Sequence, residues 1–180
     1  MMTLDGQWTF RMLLEAMSCP GQHMTLPDSA EESPFRPACT AIIHTLLDAD
    51  TPVALAHPDA AAEHWLRTRC YALVVPPKDA VFAVATDWPW EEHVFPIGTE
   101  EEPENSATLI IEIPTLQGGP NLILRGPGIQ STRTIAPEIG AGFLPFSQHN
   151  HALYPRGIDL ILCSGRDFLC LPRTTEIEEA

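Results

Sequence analysis

Four arginines stand where the chain turns or a strand begins, and they are the residues best suited to chemistry. Arg125 and Arg133 bracket the glycine-dense turn Gly126-Pro127-Gly128. Pro155-Arg156-Gly157-Ile158-Asp159-Leu160 leads into an apolar run, and Leu171-Pro172-Arg173-Thr174-Thr175 leads out of another. A guanidinium grips phosphate or carboxylate through two parallel N–H bonds. Strand ends are also where open α/β sheets place ligands. Arg125, Arg133, Arg156 and Arg173 are therefore the candidate anion-binding residues. A structural alternative stays open: Arg156 paired with Asp159, and Arg173 satisfying carbonyls at a domain edge.

Other constellations carry less chemistry. Gly118-Gly119 and Gly126-Pro127-Gly128 match neither phosphate-loop fingerprint, and glycine at a strand end serves turn geometry anyway. His149-x-His151 and Asp48-x-Asp50 lack a third metal ligand at a recognisable spacing. Ser164-Gly165 is not a nucleophile elbow, and Cys163 and Cys170 alternate into strands as core thiols. Pyridoxal phosphate needs a lysine for its Schiff base. The single lysine, Lys78, sits in the turn Pro76-Pro77-Lys78-Asp79, so no cofactor and no metal are expected.

The elements that must position these residues follow from periodicity. Phe10, Leu13, Leu14 and Met17 form one helical stripe, which Asp5 caps and Ser18-Cys19-Pro20-Gly21 ends. A second helix carries Ala38, Ala41, Ile42, Thr45 and Leu46, after a polar loop from Thr25 to Pro34. Val53 to Ala56 is a short strand. His57-Pro58-Asp59 opens a third helix, with Pro58 at its first position and the stripe Ala61, Trp65, Leu66 and Arg69. Ala80 to Ala85 is an interior strand. Thr86 to Glu104 is a short helix and an acidic connection, whose Trp88 and Trp90 are candidate interface anchors.

Ala107 to Ile113 and Asn121 to Arg125 are strands in the second half. Thr134 to Gly142 is irregular, and Phe143 to His151 forms one or two helical turns. Ile158 to Cys163 and Phe168 to Leu171 are strands joined in a tight hairpin. These elements make an α/β fold with a mixed sheet and packed helices, not a pure parallel alternation.

Length and charge bound the function. One domain, residues 1–180, is expected from 180 residues of which 44% are hydrophobic. A net charge of −14 repels phosphate backbones, so nucleic acid is excluded as a general partner. No apolar run reaches membrane-spanning length, so no membrane is expected. The stretch Met1 to Trp8 lacks the basic start of a signal peptide. Five scattered cysteines fit reduced thiols in a cytoplasmic protein.

Several short stretches together carry a resemblance. They are Phe10-Arg11, Ala16-Met17-Ser18, Pro20-Gly21, Asp50-Thr51-Pro52-Val53, Gly98-Thr99, Pro103-Glu104 and Ala107-Thr108-Leu109-Ile110. Leu116 before Gly118-Gly119, Gly126-x-Gly128-Ile129, and Arg133 before Ile135-Ala136-Pro137 continue the series. It ends in Pro155-x-Gly157-Ile158-Asp159-Leu160-Ile161-Leu162 and Pro172-Arg173-Thr174-Thr175. In their order and spacing, nearly the whole chain resembles the PhnH family of the bacterial carbon–phosphorus lyase machinery for phosphonate use.

The resemblance implies an α/β sandwich like the large domain of pyridoxal-phosphate transferases, without that cofactor. It implies a homodimer that joins G, I and J subunits. With them it takes part in making ribose 1-phosphonate 5-triphosphate, in which a phosphonate displaces adenine from a nucleoside triphosphate. Lys78 and the acidic run Glu100 to Glu104 depart from the family pattern, and no family catalytic residue is carried over. Two roles remain: a substrate-binding subunit using the four arginines on a nucleoside triphosphate or phosphonate, or a non-catalytic dimeric scaffold. A free-standing transferase without cofactor is a third reading.

Overall fold

Strands with apolar residues on both faces need cover on both sides, and the runs 82–85, 108–112 and 159–164 become the centre of the sheet. The structure is a computed structural model describing residues 4–27, 31–88 and 95–180, with side chains from Gly6 onward. The side chain of the expected cap Asp5, the anchor Trp90 and part of the acidic connection thus lie outside the description.

The main sheet is built from β1 (Met24–Thr25), β2 (Pro52–Leu55), β3 (Leu73–Val74), β4 (Phe82–Ala85), β5 (Thr108–Glu112), β8 (Asp159–Ser164) and β9 (Asp167–Leu171). Their order is β1-β9-β8-β5-β4-β2-β3. The five strands from β3 to β8 run parallel, β9 runs antiparallel to β8, and β1 pairs antiparallel with β9 and so points the same way as the five. The sheet is mixed, as the sequence predicts.

Alternate side chains supply the two faces. Val53, Val84, Ile110, Ile161 and Phe168 pack with α1 (Leu4–Ser18), α2 (Pro37–Leu46) and α3 (Ala60–Arg69). Ala54, Ala83, Leu109, Leu160 and Leu169 face the other way. That second face is covered by α4 (Phe143–Ala152) and by a small antiparallel sheet. The small sheet joins β10 (Glu176–Glu179), β6 (Leu122–Arg125) and β7 (Arg133–Ile135). Cover by helices on one face and by helix plus strands on the other refines the sequence picture. Each fully buried Ile or Leu contributes about 1.5–3 kcal/mol relative to exposure.

Several expectations shift. The apolar stripe of α1 is rotated: Thr9, Leu13 and Ala16 are buried, whereas Phe10 and Leu14 are 39% and 55% exposed. Small residues let α1 sit close to α2, so the larger side chains flank the contact. In α3 the N-cap is Asp59, whose carboxylate accepts from the Ala61 and Ala62 amides, and Pro58 lies before the helix. Trp88 is partly buried and packs edge-on against Phe143 and Phe146.

Candidate functional site

Two parallel strands whose connections leave in opposite directions open a crevice at their carboxyl ends. Here β2 runs through α3 to β3 on one side, while β4 leads to β5 on the other. Between the ends of β2 and β4 lies a cavity of about 130 Å³, lined by Phe35, His57, Asp59, Ala62, Val84 and Thr86 among others. His57 Nδ1 faces Asp87 Oδ1 at 3.3 Å, and both side chains are more than half exposed. An imidazole paired through Nδ1 keeps Nε2 for proton transfer. Asp59 and Asp87 make this mouth acidic.

Further along the same edge, Glu112 ends β5 and is buried at 6% exposure. Its Oε1 accepts the Arg36 amide at 2.5 Å, so it serves from a distance the helix end that Arg36 leaves uncapped. The Arg36 guanidinium donates to the Ile113 carbonyl at 3.0 Å. Burial pushes the Glu112 carboxyl up, against the opposing pull of the Arg36 amide, the Arg36 charge and the Cys39 thiol. Burial first, and then the Cys163 thiol and Glu112, push Cys39 well up too. Cys163 and Cys170 are fully buried core thiols, as expected.

The structure distributes the four arginines among separate partners. Arg125 leaves β6 to pair with Glu178 of β10 on an exposed face. Arg133 donates to the carbonyls of Cys19 and Pro20, at 2.9 and 2.6 Å, and fastens the end of α1 to β7. Arg173 is held by Asp159 and donates to the Pro103 carbonyl at 2.7 Å. Asp159 therefore pairs with Arg173 and not with Arg156. In Arg156, Nε is buried without a hydrogen-bond partner. Arg156 and Arg173 stand at the amino end of β8, opposite the crevice.

The remaining candidates also find places. His149 and His151 lie on α4, where residues two apart point to different sides. Asp48 Oδ1 accepts the Thr51 hydroxyl and the Asp50 amide in a turn, which lowers its carboxyl. Among the described residues no group of three or more side chains could hold a metal ion. Lys78 is exposed in the short helical turn Pro77–Asp79, before β4 and away from the crevice. A Cβ added at Gly128 would lie 1.9 Å from the Ser18 carbonyl oxygen, so the glycine-dense turn serves close contact with α1.

His57, Asp87, Glu112 and Arg36 were not singled out from the sequence. A strand running straight into His57-Pro58-Asp59 and a helix is the signal that places His57 at a carboxyl end. Glu112 is the one charge in an apolar strand.

Fold and site together define an α/β protein with a switch-point crevice and arginines largely engaged by its own framework. Residues 1–178 match the family described as bacterial phosphonate metabolism protein (PhnH), and the chain belongs to that family. It is 38% identical to the alpha-D-ribose 1-methylphosphonate 5-triphosphate synthase subunit PhnH of Rhizobium meliloti (strain 1021), over 97% of this chain and 90% of that one. It is 34% identical to HtxG of Stutzerimonas stutzeri, which carries the name of a C–P lyase subunit protein, over 95% of this chain and 85% of that one.

Proposed function

We propose that this chain is a subunit of the carbon–phosphorus lyase system in phosphonate metabolism. With partner subunits it contributes to forming ribose 1-methylphosphonate 5-triphosphate from a nucleoside triphosphate and a phosphonate. The observation that carries the reading is the match over almost the whole length to a synthase subunit at 38% identity. The proposal includes a single α/β domain of the pyridoxal-phosphate transferase type working without that cofactor. It also includes a homodimer, G, I and J subunits as partners, and a cytoplasmic location. Among the described residues no helix is long and apolar enough to cross a membrane.

The anion-binding part of the proposal keeps Arg125, Arg133, Arg156 and Arg173, with Arg156 foremost because its Nε has bonding capacity to offer. Titration calorimetry of ATP into wild type and Arg156→Ala tests that part, and equal binding by both removes Arg156 from it. Co-expression with the G, I and J subunits tests the assembly. The chain is expected to co-purify with them in fixed ratio, and its separation as a lone species contradicts the reading.

The alternative is a dimeric scaffold without catalytic groups of its own. What favours it is the engagement of Arg133 and Arg173 with internal carbonyls and Asp159.

A further inference from the structure

Away from the crevice and the arginines, a second set of reactive groups meets between α2 and α3. The sulfur of Cys70, at the carboxyl cap of α3, stands 3.6 Å from Nδ1 of His44 in the last turn of α2. Nε2 of the same imidazole lies 2.9 Å from Oε2 of Glu31. In the neutral imidazole these contacts select one tautomer. A carboxylate only accepts, so Nε2 carries the hydrogen given to Glu31, and Nδ1 is left as the acceptor. The Cys70 S–H therefore donates to His44. Trp65 leans on the imidazole with ring centres 4.9 Å apart, and its own Nε1 donates to the Glu32 carbonyl at 3.2 Å. The ring is thus positioned by a charge at one edge and an anchored indole on its side.

Nucleophile, base and orienting carboxylate in hydrogen-bond sequence is the arrangement that activates a weak nucleophile. We propose that Cys70, His44 and Glu31 form a thiol–imidazole–carboxylate relay that makes Cys70 the peroxide-reactive thiol of this chain. Burial, with the Glu31 charge adding to it, pushes the Cys70 thiol up to about 12, so the resting group is S–H and must lose its proton during attack. The sulfur electron pair forms an S–O bond to one peroxide oxygen as the O–O bond breaks. The S–H proton passes to His44 Nδ1 and then to the departing hydroxide, which leaves as water. The thiol is oxidised to a sulfenic acid and the peroxide is reduced to water. Cys70 is only 6% exposed, which restricts its partner to an electrophile of a few atoms.

Cys19 is the internal control, because it is more exposed than Cys70 and its sulfur faces the Ser18 hydroxyl at 3.8 Å. The full chain is treated with dilute hydrogen peroxide, sulfenic acids are trapped with dimedone, and each cysteine is followed by peptide mass spectrometry. Cys70 is expected to label before Cys19. His44→Gln is expected to slow Cys70 by about tenfold or more, and Glu31→Gln by about threefold, with Cys19 unchanged in both. A His44→Gln chain that had lost its fold would label Cys39, Cys163 and Cys170 as well. Glu31→Gln then decides, since it alters one side chain that is 32% exposed. Labelling of Cys19 ahead of Cys70, or a Cys70 rate unchanged by Glu31→Gln, overturns the proposal.

Discussion

Asp159 holds Arg173 with both of its oxygens: Nη2 lies 2.6 Å from Oδ2, and Nε lies 3.1 Å from Oδ1. The same carboxylate accepts the Arg173 amide at 2.8 Å. The pair therefore fixes the chain leaving β9 against the start of β8. With side chains 14% and 21% exposed, it is shielded enough for its loss to matter. Arg173→Ala is expected to cost about 2–3 kcal/mol in urea unfolding, much of it from leaving Asp159 unpaired. Arg125→Ala, which breaks an exposed pair with Glu178, is expected to stay within about 0.5 kcal/mol. Equal effects of the two would contradict the framework role of Arg173.

Gly128 has φ 82° and meets the Ser18 carbonyl at the end of α1. Backbone on one side and a left-handed conformation on the other leave no room for a side chain. Gly128→Ala is expected to lower stability by about 3 kcal/mol or more, measured by thermal or urea unfolding. A cost under 1 kcal/mol, the ordinary scale of a surface change, would show that this contact yields freely.

Tyr71 shows the opposite case. It follows α3 with φ 56° and is 75% exposed, so it bears left-handed strain without burying much surface in return. Tyr71→Gly is expected to raise stability by about 0.5–1 kcal/mol. A loss of stability would mean that the exposed ring contributes more than the strain costs.

Glu112 links stability to pH. Its carboxyl lies above the ordinary value of 4.5 in the folded chain because burial disfavours the charge. The folded state therefore holds its proton more tightly than the unfolded one, and stability from this group falls as pH rises through the folded value. The groups around it are Arg36, Cys39 and Cys163. Glu112→Gln keeps an acceptor for the Arg36 amide and removes the titration. It is expected to gain on wild type as pH rises above 4.5 in parallel urea titrations. A constant difference across that range would show that Glu112 does not titrate differently on folding.

Much of the central sheet is legible in the chain because β4, β5 and β8 are apolar on both faces and bounded by turn residues. The hairpin of β8 and β9 announces itself through Ser164-Gly165-Arg166-Asp167. β1, β3 and β10 escape, since each carries at most one buried residue and gives alternation nothing to register. β10 has one buried residue, Ile177, and is fixed by pairing with β6. β6 is readable as a strand, but nothing local tells that it joins a separate sheet.

The arginines could be identified as turn and strand-end residues, yet their partners lie far along the chain: Cys19 for Arg133, Asp159 and Pro103 for Arg173. Sequence spacing carries no information on such pairings. The crevice and the Cys70–His44–Glu31 cluster depend in the same way on how α2, α3 and the sheet pack together.

The most direct test of the subunit role is reconstitution. ATP and methylphosphonate are supplied to the partner subunits with and without this chain, and ribose 1-methylphosphonate 5-triphosphate is measured. The account predicts product only when the chain and its partners are combined, and none from the chain alone. Equal product formation by the partners in its absence would contradict it.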